Sequence, residues 1–334
     1  MSDVKNQHYV PQSYLKRFAD RRDRLSVFDK FTRKSFQTHV KNIASETHFY
    51  DFHQDIQKDF QNQVASRGER DTDAEIVAKA GDPELVEHEL AAIEADFCAF
   101  LDDMLRMIDQ QNRIAHEQKR TMAYFMAIQL LRTPEFRRTL IELEEATFTW
   151  ALQKTQGEDE DELYIEFNEK YASLEHAQML FSPNIQNAIV QALSNHIWVV
   201  GINETSSPFY TSDTPIVRRA HRKDPFVSYA GLASPGIEIM FPLTPRYILC
   251  LWDKTDREHL GQLDGTSLTL PLDSIVYCNH LQVLQSYRQV YSPVNDFRFA
   301  EQICIEHPEV CTSDRVRVEV DSTKQPPDRK GKTR

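Results

Sequence analysis

The pattern of apolar and polar positions near the start of the chain predicts a helix followed by a β-hairpin. "QHYVPQSYLKRFAD" (7–20) is amphipathic and has Pro11 near its beginning, a residue that a helix tolerates only in its first turn. "RLSVFDKFTRKSFQTHV" then alternates apolar and polar residues on both sides of "KFTRK". Such alternation around a polar turn is typical of two paired strands.

The middle third of the chain has the 3.6-residue apolar repeat of amphipathic helices. The first of these helices is expected to have Pro83 at its first position, where the missing N–H costs nothing. Pro134 interrupts a later helical stretch, and proline disfavours helix at the residue before it, so we expect a break near Thr133. Ser182 is expected to cap a further helix.

From Asn195 onwards, short runs of β-branched and aromatic residues alternate with turn residues, which is typical of a sheet. These runs are "HIWVVGIN", "PFYTSD", "GIEIMFPL" and "RYILCLWD". "LDSIVYCNHLQVLQSYRQVYS" is predicted to return to helix and close the fold. Helices followed by strands indicate an α+β fold with a C-terminal sheet of the antiparallel type.

Composition divides the 334 residues into one folded module and two polar segments. We predict a single α+β module over 1–312, long enough to bury a substantial core. Within it, 66–84 is charged and poor in large apolar residues, so we expect an exposed connector. The charged segment 313–334 lacks the apolar residues that a packed structure needs and is predicted to be disordered.

Charge, cysteine usage and hydropathy narrow the class of protein. A net charge of −12 opposes nonspecific coating of DNA, although short basic stretches such as "VRRAHRK" remain able to hold a phosphate. The five cysteines are scattered, so neither a disulfide framework nor a zinc knuckle is expected. No apolar run is long enough to span a membrane and "MSDVKNQ" is polar, which together predict a cytoplasmic protein without a membrane partner.

The opening stretch provides the first two candidate site residues, His8 and Gln12. If the helix begins this early, the spacing of four places both side chains on one helical face. A histidine near a helix N-terminus can act as acid, base or ligand, and we expect it to face inward against the middle third. The alternative is a capping histidine beside a solvent-facing glutamine.

The helical middle third provides three more candidates, each with a structural alternative. Glu94, between Ile93 and Phe97, is a carboxylate that a metal ion or proton transfer could use, unless it lies on the solvated edge of its helix. Gln129 and Arg132 share one face of a strongly apolar helix and could meet a ligand phosphate. Their alternative is an internal Arg–Glu pair, and we favour the ligand pocket.

Asp213 is the sixth candidate, in "PFYTSDTP" at the end of a predicted strand. Loops carried by a rigid scaffold often hold catalytic or metal-binding carboxylates. The alternative is a turn in which the side chain of Asp213 caps its own backbone. Glycine-rich phosphate loops, nucleophile elbows and zinc-protease helices are absent from the sequence.

Several stretches occur in an order that matches a known family. They are "HYVPQSYLKRF", "FDKFTRKSF", "NIASETHFY", "VEHELAAIE", "QLLRTPEFR", "PFYTSDTP", "FPLTP" and "CNHLQVLQSYRQVYS". Together they resemble the bacterial domain-of-unknown-function 4238 family, from residue 8 to about 300. The resemblance implies that the chain is one module, and that the six polar candidates belong to motifs of one shared site.

Two functions from different classes follow from these candidates. In the first, the protein is a nuclease-like hydrolase of phosphodiesters that acts on nucleic acid or a nucleotide, and such an activity would suit bacterial defence. Glu94 and Asp213 would hold Mg²⁺ or Mn²⁺ or orient a water, His8 would be the general base or acid, and the substrate-binding residues would be Gln12, Gln129 and Arg132. In the second, the same residues bind an anionic ligand or a protein partner without turnover.

Overall fold

The computed structural model describes residues 6–47, 49–50, 83–155, 169–224 and 227–318. Within these ranges the fold is α+β, as predicted, with helices and three sheets. The predicted connector over 66–84 lies outside the described residues apart from its last two positions, which begin a helix.

The N-terminal part contains the predicted hairpin, but its opening stretch differs from the prediction. Its elements are β1 (Asn6–His8), α1 (Gln12–Leu15), β2 (Arg24–Asp29), β3 (Lys34–His39) and β4 (Ser45–Thr47). Strands β2 and β3 pair antiparallel, which confirms the hairpin. His8 lies in β1 opposite Ser45 of β4, and the helix begins only at Gln12. His8 and Gln12 therefore do not share a helical face.

The middle third is helical, as predicted. It contains α2 (Pro83–Asp109), α3 (His116–Leu131), α4 (Pro134–Thr155), α5 (Glu169–Phe181) and α6 (Pro183–Ser194). The break around Thr133 is confirmed, since α3 ends at Leu131 and α4 begins at Pro134. Helix α3 is buried on most of its surface, because its apolar residues occur on all sides. No helix in the described ranges is both long enough and apolar enough to cross a bilayer.

The C-terminal part forms a five-stranded sheet in the order β10-β5-β9-β8-β7. Its strands are β5 (Ile197–Asn203), β7 (Val217–Ala220), β8 (Ile237–Pro242), β9 (Tyr247–Trp252) and β10 (Thr266–Leu270). The short strand β6 (Thr211–Ser212) lies between β5 and β7 in the chain but belongs to another sheet. The sheet is antiparallel except where β10 runs parallel to β5. The predicted antiparallel sheet is thus correct for most of its pairs and wrong for this edge.

The closing helix is present but shorter than predicted, because the last residues of the predicted helix form a strand. It ends as α7 (Leu272–Gln285), and the residues after it form β11 (Gln289–Ser292), followed by α8 (Arg298–Glu306). Strand β11 lies between β2 and β6 in a four-stranded antiparallel sheet. Most of β11 is buried, so its sequence lacks the alternation that distinguishes a strand from a buried helix. Strand β11 also joins the N-terminal hairpin to the C-terminal part.

The first residues of the tail that is predicted to be disordered, 313–318, contact α4 and the end of α7. Arg315 lies 2.6 Å from Glu135, and Arg317 lies 2.6 Å from Glu142. The two arginine side chains are only 9% and 5% exposed, although the sequence around them is charged. Arg315 also donates to the carbonyl of Leu284. Charge pairing therefore holds a segment that has few apolar residues, and residues 319–334 lie outside the described part.

Two truncations test this contact. A chain that ends at Thr312 is expected to unfold about 2 kcal/mol more easily than one that ends at Val318, because it loses the three partly buried Arg–Glu ion pairs of Arg315 and Arg317. Denaturant melts of both chains and of the full chain measure the difference. Equal unfolding midpoints for the two truncations would show that Ser313–Val318 contributes nothing to stability.

Candidate functional site

Arg132, the residue after α3, is the centre of the candidate site. Its Nη1 lies 2.9 Å from Oε1 of Glu94 in α2, and its Nη2 donates to the backbone carbonyl of His8. The side chain of Arg132 is 2% exposed, whereas that of Glu94 is 23% exposed. The alternative of an internal Arg–Glu pair is therefore observed, and this pair links α2, α3 and β1.

The electrostatic surroundings keep Arg132 charged. Burial lowers the pKa of its guanidinium, but the charge of Glu94 and the hydroxyl of Tyr50 raise it by more. The Tyr50 hydroxyl lies 3.5 Å from the backbone carbonyl of Arg132. The Nε atom of Arg132 is buried without a partner among the described residues. The guanidinium is thus a cation held in a fixed position.

His8 faces inward, as expected, and is held neutral. Burial is the largest cause that lowers the pKa of its imidazole below the ordinary value of 6.5, and the cation Arg132 acts in the same direction. The charge of Glu94 and the carbonyl of Lys41 oppose this shift without reversing it. Its Nε2 atom is buried and has no partner among the described residues. His8 is therefore a neutral imidazole with an unused ring nitrogen.

The two glutamines have different positions. Gln129 is buried in α3 and donates to the backbone carbonyl of Tyr9, 3.0 Å away. Gln12, at the start of α1, is half-exposed, and its side chain makes no hydrogen bond within the described part. The structure thus places Gln129 with Arg132, Glu94 and His8, whereas no hydrogen bond within the described part joins the Gln12 side chain to them.

A narrow cleft adjoins this cluster. Its volume is about 20 Å³, and Glu94, Gln129 and Arg132 line its polar side. The other walls are largely apolar and include Phe97, Phe125 and Phe241. A volume of this size accommodates about one water molecule. His8 lies beside the cleft, within the range of the Glu94 and Arg132 charges, but outside the lining.

Asp213 belongs to a different hydrogen-bond network. Its carboxylate accepts three backbone N–H groups, from Tyr287 (2.7 Å), Arg288 (2.7 Å) and Gln289 (2.6 Å). Burial raises the pKa of Asp213 to about 6, while these donors and the nearby Lys30 oppose the rise. The predicted turn-capping alternative is thus close to what is observed, except that Asp213 holds a turn distant in sequence, between α7 and β11.

Lys30 completes the network around this turn. Its Nζ donates to the carbonyls of Val283 and Ser286, 2.8 and 2.7 Å away, at the C-terminal end of α7. A cation at this end satisfies carbonyls that the helix leaves without partners. Burial lowers the pKa of Lys30 to about 8. The Asp213 network therefore fixes the junction where the chain leaves α7 and enters the four-stranded sheet at β11.

The predicted metal pair of Glu94 and Asp213 is not brought together as one ligand set. Glu94 is paired with Arg132, and three donors already occupy the oxygens of Asp213. Within the described residues no three His, Cys, Asp or Glu side chains form a group that could hold a metal ion. Tyr9 contacts both networks. Its backbone carbonyl accepts a hydrogen bond from Gln129. Burial is the main cause that raises the pKa of the Tyr9 hydroxyl, and the charge of Asp213 raises it further.

The sequence matches a known protein family over most of its length. The profile of a family described as "Protein of unknown function (DUF4238)" matches residues 6–294. The chain belongs to this family. All six predicted site residues lie within the DUF4238 match, which also covers the strands that join the two ends of the module. Neither the curated proteins nor the solved structures contain a match to the chain.

Sequence reasoning missed Tyr50 and the aromatic walls of the cleft. Tyr50 is fully buried, and its backbone N–H donates to the side chain of Gln7 in β1. Its place in "NIASETHFY", one of the stretches that match the DUF4238 family, was a signal that could have indicated it. Phe241 comes from β8, and the sequence contains no signal that would place this strand beside α2 and α3.

Proposed function

We propose that the protein is a hydrolase of phosphodiesters in which His8 acts as general base beside Glu94 and Arg132. The observation that carries the proposal is the Nε2 atom of His8, buried and without a partner among the described residues. A buried polar atom without a partner is costly, so its retention favours a role with a ligand or a water. Because the imidazole is neutral at pH 7, it can accept a proton at once.

The neighbouring groups suit the other requirements of such a reaction. Arg132 is a fixed cation, and a fixed cation stabilises charge that develops on phosphoryl oxygens. Glu94 is partly exposed at the cleft and could orient a water or contribute to a site for Mg²⁺ or Mn²⁺. The cleft has room for the attacking water only, so a nucleic acid or nucleotide would lie across its mouth. Asp213 has no role in this proposal.

The test is cleavage of bis(p-nitrophenyl) phosphate, single-stranded RNA and single-stranded DNA, each with and without Mg²⁺ or Mn²⁺. We expect turnover by the wild type and a loss of about a hundredfold or more in His8→Gln, since general-base catalysis contributes at least that much. The rate should fall as the pH decreases through the His8 pKa, which lies below 6.5, because only the neutral imidazole accepts a proton.

His116→Gln is the matched control, because His116 is an exposed histidine at the start of α3. Thermal melts confirm that both variants fold. The hydrolase proposal is wrong if no substrate is cleaved, or if His8→Gln retains as much activity as His116→Gln.

The second candidate function is binding without turnover. It is favoured by the pairing of Arg132 with Glu94 beside largely apolar walls, which leaves the cleft with little net charge. A site of this kind can bind an anionic ligand or a protein partner across its mouth without any reaction. Saturable binding of a substrate analogue that persists in His8→Gln, together with absence of product, would favour this function over the first.

A further inference from the structure

A larger cavity lies at the other end of α2. Its volume is about 410 Å³, within the range of small-molecule sites. The end of α2, the loop that follows it and the edge strand β10 contribute to its walls, and its polar lining includes Asp109, Arg113, Arg246, Thr266, Ser267 and Thr269. Since a helix rises about 1.5 Å per residue, Asp109 lies about 22 Å along α2 from Glu94. The cavity is thus separate from the cleft.

The charges in this cavity favour an anion. Arg113 and Arg246 both line it and are exposed, and neither forms an ion pair with a carboxylate of the described residues. Among the described residues, the Arg113 guanidinium donates only to the carbonyl of Asp264, 3.5 Å away. The guanidinium of Arg246 lies 5.2 Å from the ring centroid of Tyr247. Asp109 accepts a hydrogen bond from the Tyr247 hydroxyl. Two available cations therefore face one engaged carboxylate, in a chain of net charge −12.

Hydroxyl groups from one side of the cavity add hydrogen-bonding capacity. Strand β10 is an edge strand, since it pairs only with β5 among the described strands, and three of its residues line the cavity. Ser267 and Thr269 are two residues apart on this strand and hence point to the same side. The Thr266 hydroxyl is already used, because it donates to the carbonyl of Leu263. The combination of arginine and hydroxyl donors suits the three terminal oxygens of a phosphate group.

The base of the cavity is held in place by a close backbone contact. Gly265 has a φ of +77°, and its carbonyl accepts the N–H of Ile114 at 2.8 Å. A Cβ atom at this position would lie 2.7 Å from the carbonyl oxygen of Ile114, so only glycine fits. Asp264, the residue before it, accepts the N–H of Trp198 and pairs with Lys119. The loop of Arg113 is thereby fixed against the start of β10, so the site exists before a ligand binds.

We propose that this cavity binds a small phosphorylated molecule, with Arg113 and Arg246 as the phosphate ligands and Ser267 and Thr269 as hydroxyl donors. The rest of the ligand would occupy the remaining volume, beside Ile108 and Ile202. The proposal does not depend on the hydrolase function, because it uses none of the residues of the cleft.

Isothermal titration calorimetry of the full chain tests the proposal with four probes: inorganic phosphate, pyrophosphate, ribose 5-phosphate and AMP. We expect saturable binding of at least one probe that weakens as the salt concentration increases. Tighter binding of ribose 5-phosphate and AMP than of phosphate would show that the cavity recognises more than the phosphate. Preference between these two probes would tell a sugar phosphate from a nucleotide.

Arg113→Gln and Arg246→Gln are each expected to lower the affinity for the best probe about tenfold, because each removes a charge-assisted contact. Arg21→Gln is the matched control, since Arg21 is exposed in the turn before β2, away from the cavity residues. Ser267→Ala should weaken binding less than either arginine change. The proposal fails if no probe binds at millimolar concentration, or if the cavity variants bind as tightly as Arg21→Gln.

Discussion

Replacing Arg132 with methionine is expected to lower the free energy of unfolding by about 3 kcal/mol, because removing one partner of a buried ion pair leaves the other uncompensated. Arg132 is 2% exposed and contacts both Glu94 and the carbonyl of His8. Methionine restores much of the volume but none of these hydrogen bonds. The Glu94 side chain is 23% exposed, so water can solvate its carboxylate when the arginine is removed. The loss of unfolding free energy is therefore expected near the lower end of the range for buried ion pairs.

Arg120→Met is the control, because Arg120 lies in the same helix and is exposed. Unfolding of the two variants and the wild type in guanidinium chloride gives the difference in unfolding free energy. Glu94→Gln should cost less than Arg132→Met, as the guanidinium keeps its carbonyl acceptor. If Arg132→Met is as stable as Arg120→Met, the pair is not a structural link and Arg132 serves the cleft alone.

Replacing Asp213 with alanine is also expected to cost about 3 kcal/mol. The change removes the acceptor of three backbone N–H groups at the junction of α7 and β11, and each buried donor left unsatisfied costs about 1–3 kcal/mol. Burial of the carboxylate raises the pKa of Asp213 to about 6, which shows that the buried charge is unfavourable. Alanine removes this charge, and that gain offsets part of the lost stability. Asp213→Asn keeps one acceptor oxygen and should fall between alanine and the wild type.

Asp103→Ala provides the comparison for an exposed aspartate in the helical region, with an expected effect of a few tenths of a kcal/mol. Chemical melts measure stability, and the phosphodiester assay at a temperature where all variants are folded measures activity. Asp213→Asn should retain most activity per folded molecule. A collapse of activity without loss of stability would instead return Asp213 to the catalytic role that the sequence suggested.

The sequence predicts well those parts of the fold that depend on local chemistry. The turn of the β2–β3 hairpin and the break before Pro134 follow from polar alternation and from the missing proline N–H, both of which act within a few residues. Strand β11 was predicted as helix, because burial removes the alternation that identifies a strand. Strand β1 is three residues long and makes a two-stranded pair with β4, too short for any period to be visible.

The candidate site could be predicted only in part, for a related reason. His8, Glu94, Gln129 and Arg132 stand out as polar residues in apolar surroundings, and the structure does place them together. Their partners could not be predicted, since Arg132 binds a backbone carbonyl and Asp213 binds backbone N–H groups. Every residue except proline carries both groups, so the sequence gives no signal of which ones will meet a given side chain.

The central position of β11 has a consequence for the order in which the chain can fold during its synthesis. Strand β2 is made early, yet Asp29 binds Arg288, a residue 259 positions later in the chain. At typical ribosomal rates that interval lasts on the order of tens of seconds. During it, the edge of β2 that β11 will cover carries unpaired backbone groups, which are a template for pairing with other chains. The nascent protein, rather than the finished one, is therefore the form most exposed to aggregation through this strand.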